Sequence, residues 1–148
     1  KAGYPDGKGL PTLVYDVRGT DTRKRRIGEF IQHELKDINV NVEVRTQNFT
    51  TFLERARKGE LQFFQGGWVM DYPDAENVLQ ILYGQNAPNP NYYMYSNPEF
   101  DRLFLQLRGM EDGPQKYELM ARMEKLVNDE LPWIMQYYSR NYILYHNH

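Results

Sequence analysis

Lys58-Gly59-Glu60-Leu61-Gln62-Phe63-Phe64-Gln65-Gly66-Gly67-Trp68-Val69-Met70-Asp71-Tyr72-Pro73-Asp74 changes its repeat partway along. Leu61 to Phe64 is a short apolar run opened by Lys58-Gly59, which predicts a buried strand. Past the glycine pair, Asp74 is placed to cap a helix that carries Val78, Leu79 and Leu82 and stops at Gly84. Asp71 therefore falls where the carboxyl end of a strand gives way to a loop and a helix. In open α/β sheets that rim is where ligands bind. Trp68, shortly before Asp71, adds an apolar wall beside a fixed negative charge. The pair suits a cationic group attached to a larger ligand.

Upstream, the same two periods alternate. Thr12 to Val17 reads as a first strand, and Gly19-Thr20-Asp21 supplies a turn and an N-cap. The helix that follows carries Ile27, Phe30, Ile31, Leu35 and Ile38 on one stripe. Asn39 to Thr46 alternates, with Val40, Val42 and Val44 on one face, and predicts a second strand. Thr51 and Glu54 have capping-box spacing for a short helix with Phe52, Leu53 and Ala56 inward, ended by Gly59. The order β-α-β-α-β-α implies right-handed crossovers. The predicted class is α/β: three layers, a mainly parallel sheet and helices on both faces.

Downstream, Gln85 to Tyr95 is a loop rich in Asn, Pro and Tyr, and Ser96-Asn97-Pro98-Glu99 starts a helix with Phe100, Leu103, Phe104 and Leu107 at helical spacing. Pro114 opens another helix, through Tyr117, Met120, Ala121, Met123 and Val127, which Pro132 ends. Trp133 to Tyr145 is a β-rich aromatic run and predicts a long or broken strand. No repeat, low-complexity tract or internal linker interrupts residues 1–148, so one domain is expected.

Composition narrows the function classes. The formal net charge is -2, from 18 Lys and Arg against 20 Asp and Glu, so no basic field calls for nucleic acid. The cluster Arg23-Lys24-Arg25-Arg26 has no interleaved aromatics and reads as a solvated helix face. Cysteine is absent, which removes disulfides, thiolate zinc sites and a cysteine nucleophile. His33, His146 and His148 are scattered without metal-ligand spacing, and no cofactor is implied. No apolar run approaches the ~20 residues that span a bilayer. The 12 tyrosines suit half-buried strands and binding surfaces alike. Lys1-Ala2-Gly3-Tyr4-Pro5-Asp6-Gly7 is turn chemistry in mid-flow, so a piece of a longer protein is expected, with any export signal elsewhere.

Gly67-Trp68-Val69-Met70-Asp71-Tyr72-Pro73-Asp74 resembles a segment of the extracellular solute-binding proteins of family 5, the oligopeptide, dipeptide and nickel receptors of ABC importers. Ala2-Gly3-Tyr4-Pro5-Asp6-Gly7, Tyr95-Ser96-Asn97-Pro98-Glu99-Phe100-Asp101 and Leu131-Pro132-Trp133-Ile134-Met135-Gln136-Tyr137-Tyr138 resemble further segments of that family, in the same order. The resemblance implies a periplasmic-binding-protein type II fold, and that the chain is most of one lobe of a two-lobed, exported, monomeric receptor. It implies a small peptide or peptide-like ligand, delivery to an ABC permease in the membrane, and no catalysis. It further implies that Asp71 pairs with the ligand's ammonium, with Trp68, Gly67 and Tyr72 beside it and Phe49 over the ligand. Gln65 and Ala56 depart from some tripeptide-binding relatives that carry arginine at those positions, so either a ligand carboxylate is held differently here, or the ligand is a longer peptide or not a peptide.

Other readings of the same residues stay open at this point. Asp before Tyr-Pro is also ordinary turn chemistry, and Trp68 also suits a core. Asp71, Asp74 and Glu76 could serve a hydrolase or a hard-metal site, although Asp74 is accounted for as an N-cap and Glu76 as a first-turn charge. Asp16 and Asp71 at strand ends resemble a phospho-acceptor receiver domain, but Asp16 lacks an acidic neighbour and the last segment contains no lysine.

Overall fold

The computed structural model describes residues 3–138, 140 and 142–146. Among them β1 (Leu13–Arg18) is the central strand, flanked by β2 (Val42–Gln47) and β3 (Phe63–Phe64), and both pairings are parallel. The register runs from Leu13 opposite Val42 to Arg18 opposite Gln47, and sets Asp16 opposite Phe64. Parallel strands need crossover helices, and α1 (Thr22–Lys36) and α2 (Phe49–Arg57) provide them. The sheet is the α/β arrangement that the alternation predicts.

Side-chain parity puts the two helices on opposite faces. Tyr15 and Val17 point one way and pack with Val42, Phe63 and the α1 residues Ile31 and Leu35. Gly28 lets α1 lie close on this face: a Cβ there would run into Val44 and Val17. Asp16 points the other way, toward Arg55 of α2. On that face Phe52, Ala56 and Leu61 form a second cluster, with Phe64 and Tyr92 against it.

The remaining helices are α3 (Ala75–Leu79), which continues into a 3-10 turn over Gln80–Leu82, α4 (Pro98–Leu107) and α5 (Pro114–Glu130). Leu82 joins Phe100, Leu103, Phe104 and Leu107 of α4 and Met123 and Val127 of α5 in a third cluster. Asn91 pins the loop between: its side-chain amide donates to the carbonyls of Tyr83 (3.1 Å) and Tyr95 (2.8 Å). None of the described helices is long and apolar enough to cross a membrane.

Local signals fix most helix starts. Asp21 accepts from the Lys24 N–H at 3.1 Å, and Asn97 accepts from the Glu99 and Phe100 N–H groups at 2.8 and 3.0 Å. The capping box at Thr51 and Glu54 does not form. Asn48 is the N-cap instead, accepting from the Thr51 N–H at 2.9 Å, so α2 begins at Phe49. Phe30 and Ile38, expected on the inward stripe of α1, are exposed; Ile38 lies past the end of the helix, and Ile31 and Leu35 pack on the sheet.

The predicted last strand is also corrected. Trp133 packs edge-on against Tyr93, with ring centroids 5.6 Å apart, but Ile134, Met135, Tyr137, Tyr138 and 142–145 are exposed and none of the described residues there is in a strand. A strand exists only where a ladder partner accepts it, and β-rich composition does not supply one. Ser139 and Asn141 of that run, and Ala2 of the lead-in, lie outside the described residues.

Candidate functional site

The carboxyl ends of three parallel strands meet at one rim. β1 delivers Arg18, β2 delivers Gln47 and then Asn48-Phe49, and β3 delivers Gln65 and the glycine pair. The Gln65 N–H donates to the Asp16 carbonyl at 3.0 Å, which keeps the departing chain beside β1 for one more residue. Gly66 is then required by a close approach. A Cβ there would collide with the Tyr93 hydroxyl, whereas one on Gly67 would meet open space. Gly67, the glycine favoured by the sequence, is thus unconstrained sterically, and Gly66 is the constrained one.

From Gly67 to Asp74 the chain is a loop stretched over the start of α3. Asn77, buried within α3, gathers it: its Oδ1 accepts from the Trp68 indole N–H at 2.8 Å and from the Asp71 backbone N–H at 3.3 Å. Trp68 is consequently held with one edge anchored and 39 % of its surface exposed, neither core nor free. Val69, Met70 and Tyr72 are exposed around it. Asp71 is exposed, and among the described residues its carboxylate has no hydrogen bond or ion pair. Its local hydrogen bond comes from its backbone, so the charge is not consumed by the turn.

Asp74 has the structural role its position predicts. It caps α3, accepting from the Glu76 N–H at 2.8 Å, and also receives the Lys116 ammonium at 2.5 Å. Lys116, only 4 % exposed on α5, is paired on its other side with Asp112 at 3.0 Å. These bonds hold the Asp74 carboxyl below its ordinary range, first through Lys116 and then through the Glu76 N–H, and raise Lys116 through Asp74 and then Asp112. A depressed carboxyl stabilises the fold fully above its unfolded value of 3.8 and loses that contribution as pH falls through the folded value. The raised ammonium contributes below 10.5 and is lost as pH climbs through its folded value. Asp74→Asn, which keeps the cap, should therefore lower the urea midpoint at pH 7, with the deficit shrinking steadily below about pH 4. An equal deficit across that range would remove the ion pair from the explanation. Glu76 pairs with Arg108 at 3.1 Å. With Asp74 and Glu76 so engaged, the three acids do not converge, and the described residues contain no group of three or more metal-ligating side chains.

Asp16 is equally spoken for. It is 2 % exposed, and its Oδ1 accepts from Gln47 Nε2 at 3.0 Å and Arg55 Nη1 at 2.8 Å. A phospho-acceptor needs an accessible carboxylate, and Asp16 is inside the fold. Ala56 is fully buried in the α2 cluster, and Gln65 is buried with its Oε1 unpartnered. Neither presents a side chain to a ligand from the rim.

Arg18 is the rim residue that sequence reasoning passed over, because it closes an apolar run and reads as a strand end. Its guanidinium lies 5.5 Å from the centroid of the Phe49 ring. Phe49, first residue of α2, is 56 % exposed and offers its other surface outward. Among the described residues Arg18 has no acidic partner. Burial pushes the Tyr93 hydroxyl up, and the nearby Arg18 charge opposes that shift in part. Tyr93 stacks on Phe64, with centroids 5.2 Å apart, and touches Gly66. Phe49, Arg18, Tyr93 and Gly66 thus form a contiguous stretch of rim, leading into the loop that carries Trp68, Asp71 and Tyr72. Among the described residues, the rim carries a cation and an anion without ion-pair partners.

This chain resembles known proteins along most of its length. The Haemophilus influenzae protein named heme-binding protein A is 29% identical over 136 residues, which cover 90% of this chain and 25% of that protein. The dipeptide-binding protein DppE of Bacillus subtilis is 30% identical over 128 residues, covering 86% of this chain and 23% of its own length. A crystal structure of a periplasmic oligopeptide-binding protein, OppAIV of Borrelia burgdorferi, superposes with a TM-score of 0.79 at 29% identity, over 88% of this chain and 26% of that one. The chain spans about a quarter of the length of the curated relatives it matches. The family described as "Bacterial extracellular solute-binding proteins, family 5 Middle" matches residues 1–90. The parallel sheet, its loaded rim and these similarities agree, and the chain belongs to the family 5 bacterial extracellular solute-binding proteins.

Proposed function

We propose that this domain is one wall of the ligand cleft of an ABC-importer receptor for short peptides. The observation that carries the reading is the Asp71 carboxylate: exposed, unpaired, and fixed beside a half-exposed indole at the carboxyl rim of a parallel sheet. In a closed cleft such a carboxylate makes a charge-assisted hydrogen bond to a primary ammonium. Trp68 and Tyr72 flank it as apolar wall, with Gly67 leaving the loop backbone open to the ligand. Arg18, braced on Phe49, supplies the complementary cation for the anionic end, in place of arginines at Ala56 and Gln65. The names of relatives that bind dipeptides and oligopeptides support the same class.

In this reading the domain makes up most of one lobe. A second lobe supplies the facing wall, and hinge closure traps the ligand and presents the complex to a membrane permease. The receptor works as a monomer outside the cytoplasm, in the periplasm or at the cell surface, and performs no chemistry on its cargo.

The test is calorimetry of the intact receptor with a mixed tripeptide pool. A hydrogen bond to a charged group contributes ~1.5–3 kcal/mol, so Asp71→Asn should weaken binding by about 10- to 100-fold. N-acetylation of the pool should weaken wild type by a similar factor. Equal affinity in variant and wild type would reject Asp71 as the amine anchor. Hemin, suggested by the name of one relative, is the control ligand.

A further inference from the structure

The geometry points to Asn77 as the positioning residue of the site: its side-chain oxygen sets the distance between the apolar wall and the charged anchor, and so tunes the preference for a ligand with a free amine. Asn77 is 1 % exposed, yet the groups it binds belong to the exposed loop ahead of it. A single oxygen receives the Trp68 indole N–H at 2.8 Å and the Asp71 N–H at 3.3 Å. One atom therefore ties the indole to the backbone from which the Asp71 carboxylate projects. Asn77 is itself fixed from several sides. Its N–H donates to the Asp74 carbonyl at 3.0 Å, and its own carbonyl accepts from Gln80 Nε2 at 3.2 Å. The anchor for the loop is thus a residue of α3, which is in turn capped by Asp74 and tied to α5 through Lys116.

The other half of the amide contributes no hydrogen bond of its own. Nδ2 is buried with no hydrogen-bond partner. Leaving a buried donor unpaired is costly, and an apolar side chain of similar size would avoid that cost. The two N–H groups that Oδ1 receives are only partly buried, so water can replace it in part. Replacing Asn77 by leucine therefore sets the relief of a stranded donor and new apolar burial against the loss of two partly buried hydrogen bonds, and the effects offset in part. What it removes is the link between Trp68 and Asp71.

This inference rests on the reading of Asp71 as the amine anchor. The experiment uses the intact receptor in a Trp133→Phe background, so that Trp68 is the reporter within this domain, and compares Asn77→Leu with Asn77→Asp. Aspartate keeps an oxygen at the same place and exchanges the unpartnered donor for a second oxygen and a buried charge, so its melting temperature is read alongside its binding. Binding is measured against a mixed tripeptide pool with free amino termini and the same pool N-acetylated. Asn77→Leu should keep its melting temperature within a few degrees, lose about tenfold or more in affinity for the free-amine pool, lose most of the discrimination against the acetylated pool, and shift the Trp68 emission. Asn77→Asp should retain most of the discrimination. Unchanged discrimination in Asn77→Leu would overturn the positioning role, and so would a loss as large in Asn77→Asp with an unchanged melting temperature. Failure of the Asp71 reading looks different: wild type itself would then fail to discriminate between the two pools, which overturns both.

Discussion

Arg55→Ala should destabilise the domain by about 3–5 kcal/mol in urea denaturation, although Arg55 lies outside every cluster of apolar residues. The cause is the acid left behind. Asp16 sits in the middle of the sheet on the α2 face, 2 % exposed. Its charge is met by Arg55 Nη1 at 2.8 Å and by the Gln47 amide at 3.0 Å, while Arg45 stands farther off at 3.8 Å and is partly in water. Arg55 also ties the network together, donating to Gln47 Oε1 at 3.1 Å and to the Glu60 carbonyl at 3.3 Å. Truncating it leaves a buried carboxylate with an amide and a distant cation. The double variant Asp16→Asn/Arg55→Met removes both charges, and should recover a large part of the loss because the pair attracts little net stability beyond its own desolvation. A loss below about 1 kcal/mol for Arg55→Ala would mean that Arg45 swings in to take its place. The network lies beneath the rim, on the strand that ends in Arg18 and carries the carbonyl that holds Gln65.

The difference between what the sequence revealed and what it concealed follows the distance over which each feature is decided. Asp21 was legible as a cap, and Ser96-Asn97-Pro98-Glu99 as a helix start, because acceptor and donor are three or fewer residues apart. At α2 two local signals compete, Asn48 and the Thr51–Glu54 spacing. Asn48 wins because β2 runs on to Gln47, whose side chain is bound to Asp16, a contact 31 residues away in sequence. The Asp16–Arg55 pair spans 39 residues, and the burial of Lys116 depends on Asp74, 42 residues earlier. No periodicity announces such pairs. The rim was legible at Asp71 and Trp68 because the change of period marks the strand end. It was not legible at Arg18, whose significance comes from Phe49 at the start of α2, nor at Asn77, which reads as one more polar residue on a short helix. The last aromatic run failed for the same reason in reverse: its composition favours a strand, but pairing is a property of the neighbour.

Phe104→Ala should cost about 3–5 kcal/mol, comparable to the loss of Arg55 but by a different route. Phe104 is 2 % exposed and surrounded by Leu82, Phe100, Leu103, Leu107, Met123 and Val127, with the Tyr83 ring 4.8 Å from its own. Removing the ring forfeits its transfer from water and leaves a cavity that α4 and α5, anchored by several neighbouring side chains, cannot collapse to fill. Leu105→Ala, one residue along and facing solvent, should stay within about 0.5 kcal/mol, which separates packing from helix propensity. The damage should also reach the rim. Tyr83 takes an amide hydrogen bond from Asn91 at 3.1 Å, and Asn91 holds the loop that presses the Tyr93 hydroxyl onto Gly66. Hydrogen exchange at the Gln65 amide, which bonds the Asp16 carbonyl, should therefore quicken in Phe104→Ala by more than in Arg55→Met/Asp16→Asn adjusted to equal stability. If the Gln65 amide exchanges at the same rate in both, the third cluster stabilises α4 and α5 alone, and the rim depends on the sheet without help from the helices behind it.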